Sequence, residues 1–215
     1  MMNMSKTANL IRNLLLGCLI ISVQVTAANN QKITVVTEDW PPFNYLSEDF
    51  EVLGLSTLIV RKTLQQTRYD FSIQLFPWAR AYHMAQTKPN VLIYSIFRSP
   101  EREKKFRWIC PLNKNIRIYF FALKSRTDIK IERLTDAMQY RIGVLRNQFP
   151  HSYLKRMGFN EKEHMDLGVV EEANIKKLLA KRVDLVMNSS PSVRHQLQRI
   201  GRDASEIMPV FQIPL

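Results

Sequence analysis

Cysteine is nearly missing from this chain, with two residues in 215, Cys18 and Cys110. Glycine is almost as scarce, at six. The glycines form no phosphate-cradling loop and no Gly-x-Ser-x-Gly elbow, which removes the common nucleotide-binding and hydrolase signatures. The four histidines, His83, His151, His164 and His195, show no paired ligand spacing with cysteine or carboxylate, so no metal site is expected. No pattern implies a cofactor. Acids are missing from the start of the chain, where none occurs before Glu38. Short-period repeats and low-complexity runs are also absent.

That acid-free beginning has its own organisation. Lys6 and Arg12 precede an apolar run from Leu14 to Val25, and Val25-Thr26-Ala27 supplies small residues beyond it. A basic start, a short apolar centre and a small-residue exit predict a secretory signal over residues 1–27, cleaved near Ala27 or Ala28. The run is short for a bilayer span. Leu15-Leu16-Gly17-Cys18 matches the box before a lipid-modified cysteine. The hydrophobic run continues past Cys18, however, and simple cleavage into the periplasm is the expectation. The mature chain then keeps only Cys110, which cannot form an internal disulfide. Following Trp108-Ile109, it reads as a small buried hydrophobe with no histidine–asparagine pattern to make it a nucleophile.

The net charge is +12. Such a balance suits an anionic ligand, a nucleic acid or an anionic membrane surface. The basic pairs are spread along the chain, as at Arg61-Lys62, Lys104-Lys105 and Lys176-Lys177. None interleaves with aromatics as a nucleic-acid platform does, so no nucleic-acid partner is expected.

Between Lys32 and Ile213, β-branched or alternating runs change places with stretches of helical spacing. The pattern predicts an α/β fold with largely parallel sheets. The rhythm lengthens across Trp108–Leu123, the expected crossing between two lobes, 28–117 and 118–215. In open α/β sheets, ligands sit beyond the carboxyl ends of strands. The candidate groups are therefore the polar and aromatic residues at those ends.

The first strand ends at Glu38-Asp39-Trp40-Pro41-Pro42-Phe43. Trp40 and Phe43, on a double-proline loop, suit the walls of a ligand site or a lid on the core. After the second strand come Trp78 and Arg80. Arg80 sits in a first helical turn, where it either faces the cleft or pairs with a surface acid. The third strand leads through Ser95 to Ser99-Pro100-Glu101-Arg102. Ser99 is the expected helix cap. Arg102 is either a two-pronged carboxylate clamp or a surface arginine. In the second half, Asn147 lies in a strand-to-helix turn whose N–H groups suit an anion. Asn188 ends another strand.

These segments, in this order, resemble the family 3 extracellular solute-binding proteins, which include amino-acid receptors of ABC transporters. Thr37-Glu-Asp-Trp-Pro-Pro-Phe is similar to that family's opening strand and loop, and Ser99-Pro-Glu-Arg102 to its Thr-Pro-Glu-Arg element. Ile142-Gly-Val and Lys181-Arg-Val-Asp184 match its second lobe. The resemblance implies a two-lobed, type II periplasmic-binding-protein-like receptor that closes on its ligand. Arg102 would clamp a carboxylate with Ser99 beside it, and Trp40 and Phe43 would flank the ligand. It implies a monomer that serves an ABC-type permease or a sensor.

Two departures stand out. Asn188 replaces the aspartate that usually meets a ligand's ammonium, which puts an ordinary α-amino acid in doubt. The family also crosses back to the first lobe beyond the strand at Met208–Ile213, whereas this sequence stops at Leu215. The expectation is a shortened first lobe with exposed apolar surface. Two other classes remain: a dehydratase-like enzyme on the same fold, with Glu38 or Asp39 as acid or base, and a nonfunctional remnant.

Overall fold

The computed structural model describes residues 32–214. The secretory-signal and Cys18 assignments lie outside these residues.

β1 (Ile33–Thr37) leads into the proline loop, followed by a small hairpin of β2 (Tyr45–Leu46) and β3 (Val52–Leu53). α1 (Leu55–Gln65), β4 (Phe71–Leu75), α2 (Trp78–Thr87), β5 (Val91–Ile93) and the short α3 (Pro100–Glu103) complete the first lobe. Its three strands run parallel in the order β4-β1-β5. The chain then passes without regular structure to β6 (Ile118–Leu123), which already belongs to the second sheet.

In the second lobe a 3-10 helix (Leu134–Gln139) precedes β7 (Ile142–Leu145), α4 (Phe149–Arg156), α5 (Glu161–His164) and β8 (Met165–Gly168). Next come α6 (Glu171–Leu179), β9 (Leu185–Ser189), α7 (Ser190–Arg199) and β10 (Ile207–Gln212). The strand order is β10-β6-β9-β7-β8. The β7–β8 and β7–β9 pairs are parallel, whereas β6 pairs antiparallel with both β9 and β10. The second sheet is therefore mixed, because β6 enters from the other lobe instead of through a helical crossover.

The second lobe holds most of the core. Phe120, Ile142, Val144, Leu154 and Leu185 form one cluster on one face of the sheet. Phe121, Ile175, Leu178, Val186 and Leu197 form the other. Neighbours such as Phe120/Phe121 and Leu185/Val186 divide between the clusters because strand side chains alternate. Each such burial contributes about 1.5–3 kcal/mol. The first lobe has a smaller core of Val35, Val60, Leu64 and Tyr94.

The spacing of Leu55, Leu58, Ile59 and Lys62 after Gly54 predicts a helix up to Gln66, and α1 forms there, but Leu55, Leu58 and Ile59 face outward. Ser56, Thr57, Val60 and Leu64 are the buried positions. The inward polar groups are satisfied: Thr57 Oγ1 lies 2.7 Å from the Tyr94 hydroxyl, and Asn113 Nδ2 donates to Ser56 Oγ at 2.8 Å. Cys110, expected to be buried, is exposed, because it lies in the irregular crossing segment and not on a strand.

Candidate functional site

The proline loop is held in place by the start of α1. Leu55 N–H donates to Pro42 O at 3.0 Å and Ser56 N–H to Phe43 O at 2.8 Å. Gly54, with φ 119°, permits this approach, since a Cβ there would lie 2.4 Å from Phe43 O. Asn44 Nδ2 also donates to Glu38 O at 2.6 Å. The loop thus enters the cleft with little freedom, carrying Glu38 and Trp40.

A narrow cleft, with an internal volume of only about 30 Å³, lies between the carboxyl ends of the two sheets. The first lobe lines it with Glu38, Trp40, Trp78, Ser95, Phe97 and Arg102. The second contributes Gln148, Phe149, Glu171, Met187 and Asn188, among others. Aromatic walls with a few convergent polar groups are the usual make-up of a small-molecule site.

Several polar contacts cross the cleft. Trp40 Nε1 donates to Asn188 Oδ1 at 3.0 Å. Trp78 Nε1 donates to Asn147 O at 2.7 Å, and Arg102 Nη2 donates to the same oxygen at 3.2 Å. Gln148 Nε2 donates to the Glu38 carboxylate. Phe97 stacks on Phe149 with ring centroids 4.4 Å apart. At the rim, Arg199 meets Asp39 at 3.1 Å and Arg156 meets Glu101 at 2.8 Å. These exposed pairs contribute little each.

Arg102 is buried, 4 % exposed. It also donates to Phe97 O at 3.0 Å and lies over the rings of Trp78 and Tyr82, 5.0 and 5.4 Å from their centroids. Burial lowers the proton affinity of its guanidinium, against the opposing influence of Tyr82 and Glu38.

Two carboxyls share the cleft. Burial raises the Glu38 pKa from 4.5 to about 8; the bond from Gln148 opposes this, and repulsion from Glu171 adds to it. Burial likewise raises Glu171 from 4.5 to about 7, opposed by the Asn188 amide, whose Nδ2 donates to Oε1 at 2.7 Å. Desolvation disfavours the charged form in both.

The residues expected from sequence divide as follows. Glu38, Trp40, Trp78, Ser95, Arg102 and Asn188 line the cleft. Phe43 lies behind Trp40, rings 4.5 Å apart, as part of the buried core. It is thus a lid residue and not a wall. Arg80 is exposed, with its guanidinium 4.2 Å from the Phe76 ring centroid, outside the cleft lining. Ser99 precedes α3, but its hydroxyl makes no capping bond, and it does not line the cleft.

Asn147 takes part through its main chain, and its turn does not present the free N–H that was expected. Its N–H donates to His151 Nδ1 at 3.0 Å, while its carbonyl faces Trp78 and Arg102. Gln148 and Glu171 were missed. Gln148 caps α4 just after β7 and Glu171 opens α6 just after β8, so both follow the carboxyl ends of strands, the rule that located the other groups.

Residues 33–200 match the bacterial extracellular solute-binding proteins, family 3. The chain belongs to this family. Its fold is similar to a histidine kinase sensor domain with similarity to periplasmic binding proteins. That match has a TM-score of 0.74 at 16% identity, covering 86% of this chain and 79% of that one. An ancestral arginine-binding protein bound to arginine gives 0.71 at 15% identity, covering 85% and 79%. An amino acid ABC transporter substrate-binding protein from Streptococcus pneumoniae, bound to L-arginine, gives 0.66 at 19%, covering 83% and 73%. No curated protein matches the sequence. Family 3 membership makes this a ligand-binding protein fold, and the cleft lies where the two lobes of that fold meet.

Proposed function

We propose that this protein is exported to the periplasm and captures a small, polar, amino-acid-like ligand between its lobes, for delivery to a membrane permease or a sensor. One observation carries the reading. Glu38, Trp40, Trp78 and Arg102 from one lobe face Gln148, Glu171 and Asn188 from the other across a single aromatic-walled cleft. The lobes are bridged by hydrogen bonds that a guest would replace, so capture proceeds by hinge opening and closure. Arg102 lines the cleft with its guanidinium bonded to the Phe97 and Asn147 carbonyls, and a ligand carboxylate would take over part of that planar fork as the lobes part. The similar folds that hold arginine, or that serve a sensor kinase, support both ends of this reading.

The test is a thermal-shift and calorimetric screen of the purified chain against amino acids, dicarboxylates, short peptides and diamines, with product analysis of each mixture. Saturable heat and a raised melting temperature without turnover support the reading. Turnover of any probe would favour an enzyme with Glu38 as its acid. No response to any probe would overturn the reading.

A further inference from the structure

The turn after β7 concentrates bridges between the lobes. Asn147 O accepts from Trp78 Nε1 at 2.7 Å and from Arg102 Nη2 at 3.2 Å. Gln148 Nε2, next in the chain, donates to the Glu38 carboxylate. Phe149, one residue further, stacks on Phe97. The direction of the Asn147 peptide therefore decides whether the first lobe finds an acceptor here. The cleft's internal volume of about 30 Å³ leaves room for only about one or two waters, so the lobes meet through their own side chains.

A strand-to-helix turn ordinarily aims its N–H groups at the mouth of a site. Here the peptide is turned the other way. Asn147 has a φ of 61°, a conformation that disfavours most side chains and that asparagine tolerates better than most. Its N–H donates to His151 Nδ1 at 3.0 Å. His151 is buried in the first turn of α4. Its other nitrogen, Nε2, lies 3.0 Å from Glu161 Oε2 at the start of α5. Because Nδ1 accepts from an N–H, the ring proton sits on Nε2 and is donated to Glu161. The bond from His151, followed by Lys155 at 3.4 Å, holds the Glu161 carboxyl below its ordinary pKa. Arg146 lies 4.0 Å from the same carboxylate. The ionised Glu161 thus selects the tautomer that leaves Nδ1 open to accept. Neither His151 nor Glu161 lines the cleft.

Building on the receptor reading above, we propose that His151 is a positioning residue for lobe closure. Paired with Glu161, it fixes the Asn147 carbonyl toward the first lobe, as a latch for Trp78 and Arg102. The latch holds the lobes together without a guest, and a guest carboxylate has to draw Arg102 away from it. His151 therefore governs capture from behind the cleft, through the turn and not through contact with the ligand.

The indole N–H signals of the isotope-labelled full chain test this with no ligand added. Trp78 reads the latch, and Trp40 reads the bond to Asn188 across the cleft. Trp108, bonded to Glu103 O at 3.2 Å on the first-lobe side, is the reference. His151→Phe keeps a ring and removes the acceptor, and His151→Ala is the second variant should that ring fail to pack. His151→Asn restores an acceptor at a similar reach from the backbone. In His151→Phe and His151→Ala the Trp78 indole should exchange with water at least about tenfold faster. The radius of gyration should rise, Trp108 should not change, and His151→Asn should return to wild-type values. Four results would overturn the proposal: a Trp78 indole already unprotected in the wild type, no change at Trp78 in either variant, Trp108 moving with Trp78 in both, or His151→Asn behaving as His151→Phe does. All four concern closure alone, so the receptor reading stands or falls separately, by its own ligand screen.

Discussion

Replacing Glu38 with glutamine should change how stability depends on pH. Burial raises this carboxyl from 4.5 to about 8 in the closed structure. Between those values the unfolded chain gives up the proton that the folded protein keeps. The folded state binds more protons, so stability is fully present below about pH 4.5 and is lost as pH rises toward 8. At full coupling that shift corresponds to about 5 kcal/mol. The measured loss will be smaller, because parting the lobes rehydrates Glu38 without unfolding either sheet. We expect a difference of about 1–2 kcal/mol between wild type and Glu38→Gln over pH 5 to 8, or about 2–8 °C in melting temperature for a domain of this size. Glutamine fills the same space and carries no charge, so its profile should be flatter. Thermal unfolding of both proteins at unit pH steps measures the difference directly. Parallel profiles would refute the argument, since they would mean that Glu38 is hydrated in the folded protein.

Two further outcomes follow from the geometry. Arg102→Ala should abolish binding of carboxylate-bearing ligands, a loss of about 2–5 kcal/mol for a desolvated pair. It should also lower the melting temperature, because the Phe97 and Asn147 carbonyls lose a donor; unchanged affinity in calorimetry would remove Arg102 from the site. Gly54→Ala should destabilise the protein by more than about 1 kcal/mol. The cause is the positive φ together with the contact with Phe43 O, and chemical denaturation with an unchanged midpoint would contradict it.

Much of the fold was legible in the sequence because its causes are local. The run Lys32–Thr37, the proline at the start of α2 and the helical spacing after Gly54 each specify their own element. The carboxyl ends of those strands then point to Glu38, Trp40, Trp78, Ser95, Arg102 and Asn188, which line the cleft. Orientation was less accessible. The apolar period of α1 located the helix but not its buried face, because Ser56 and Thr57 find hydrogen-bond partners only once Tyr94 and Asn113 are folded against them. Arg80 and Phe43 illustrate the same limit, since they lie two and three positions from the cleft residues Trp78 and Trp40 and are directed elsewhere.

The order of strands and helices, and the places where a cleft could form, were thus set by residue type and spacing along the chain. The character of the cleft was decided only in three dimensions. Whether a carboxyl is neutral or charged, and whether a turn offers its N–H or its carbonyl, depends on groups distant in sequence. Glu171 lies 17 positions from Asn188, yet shares a hydrogen bond with it, and the Asn147 carbonyl meets Trp78 from 69 positions away. Desolvation and hydrogen bonding act through space, so they take their values only when the two lobes come together.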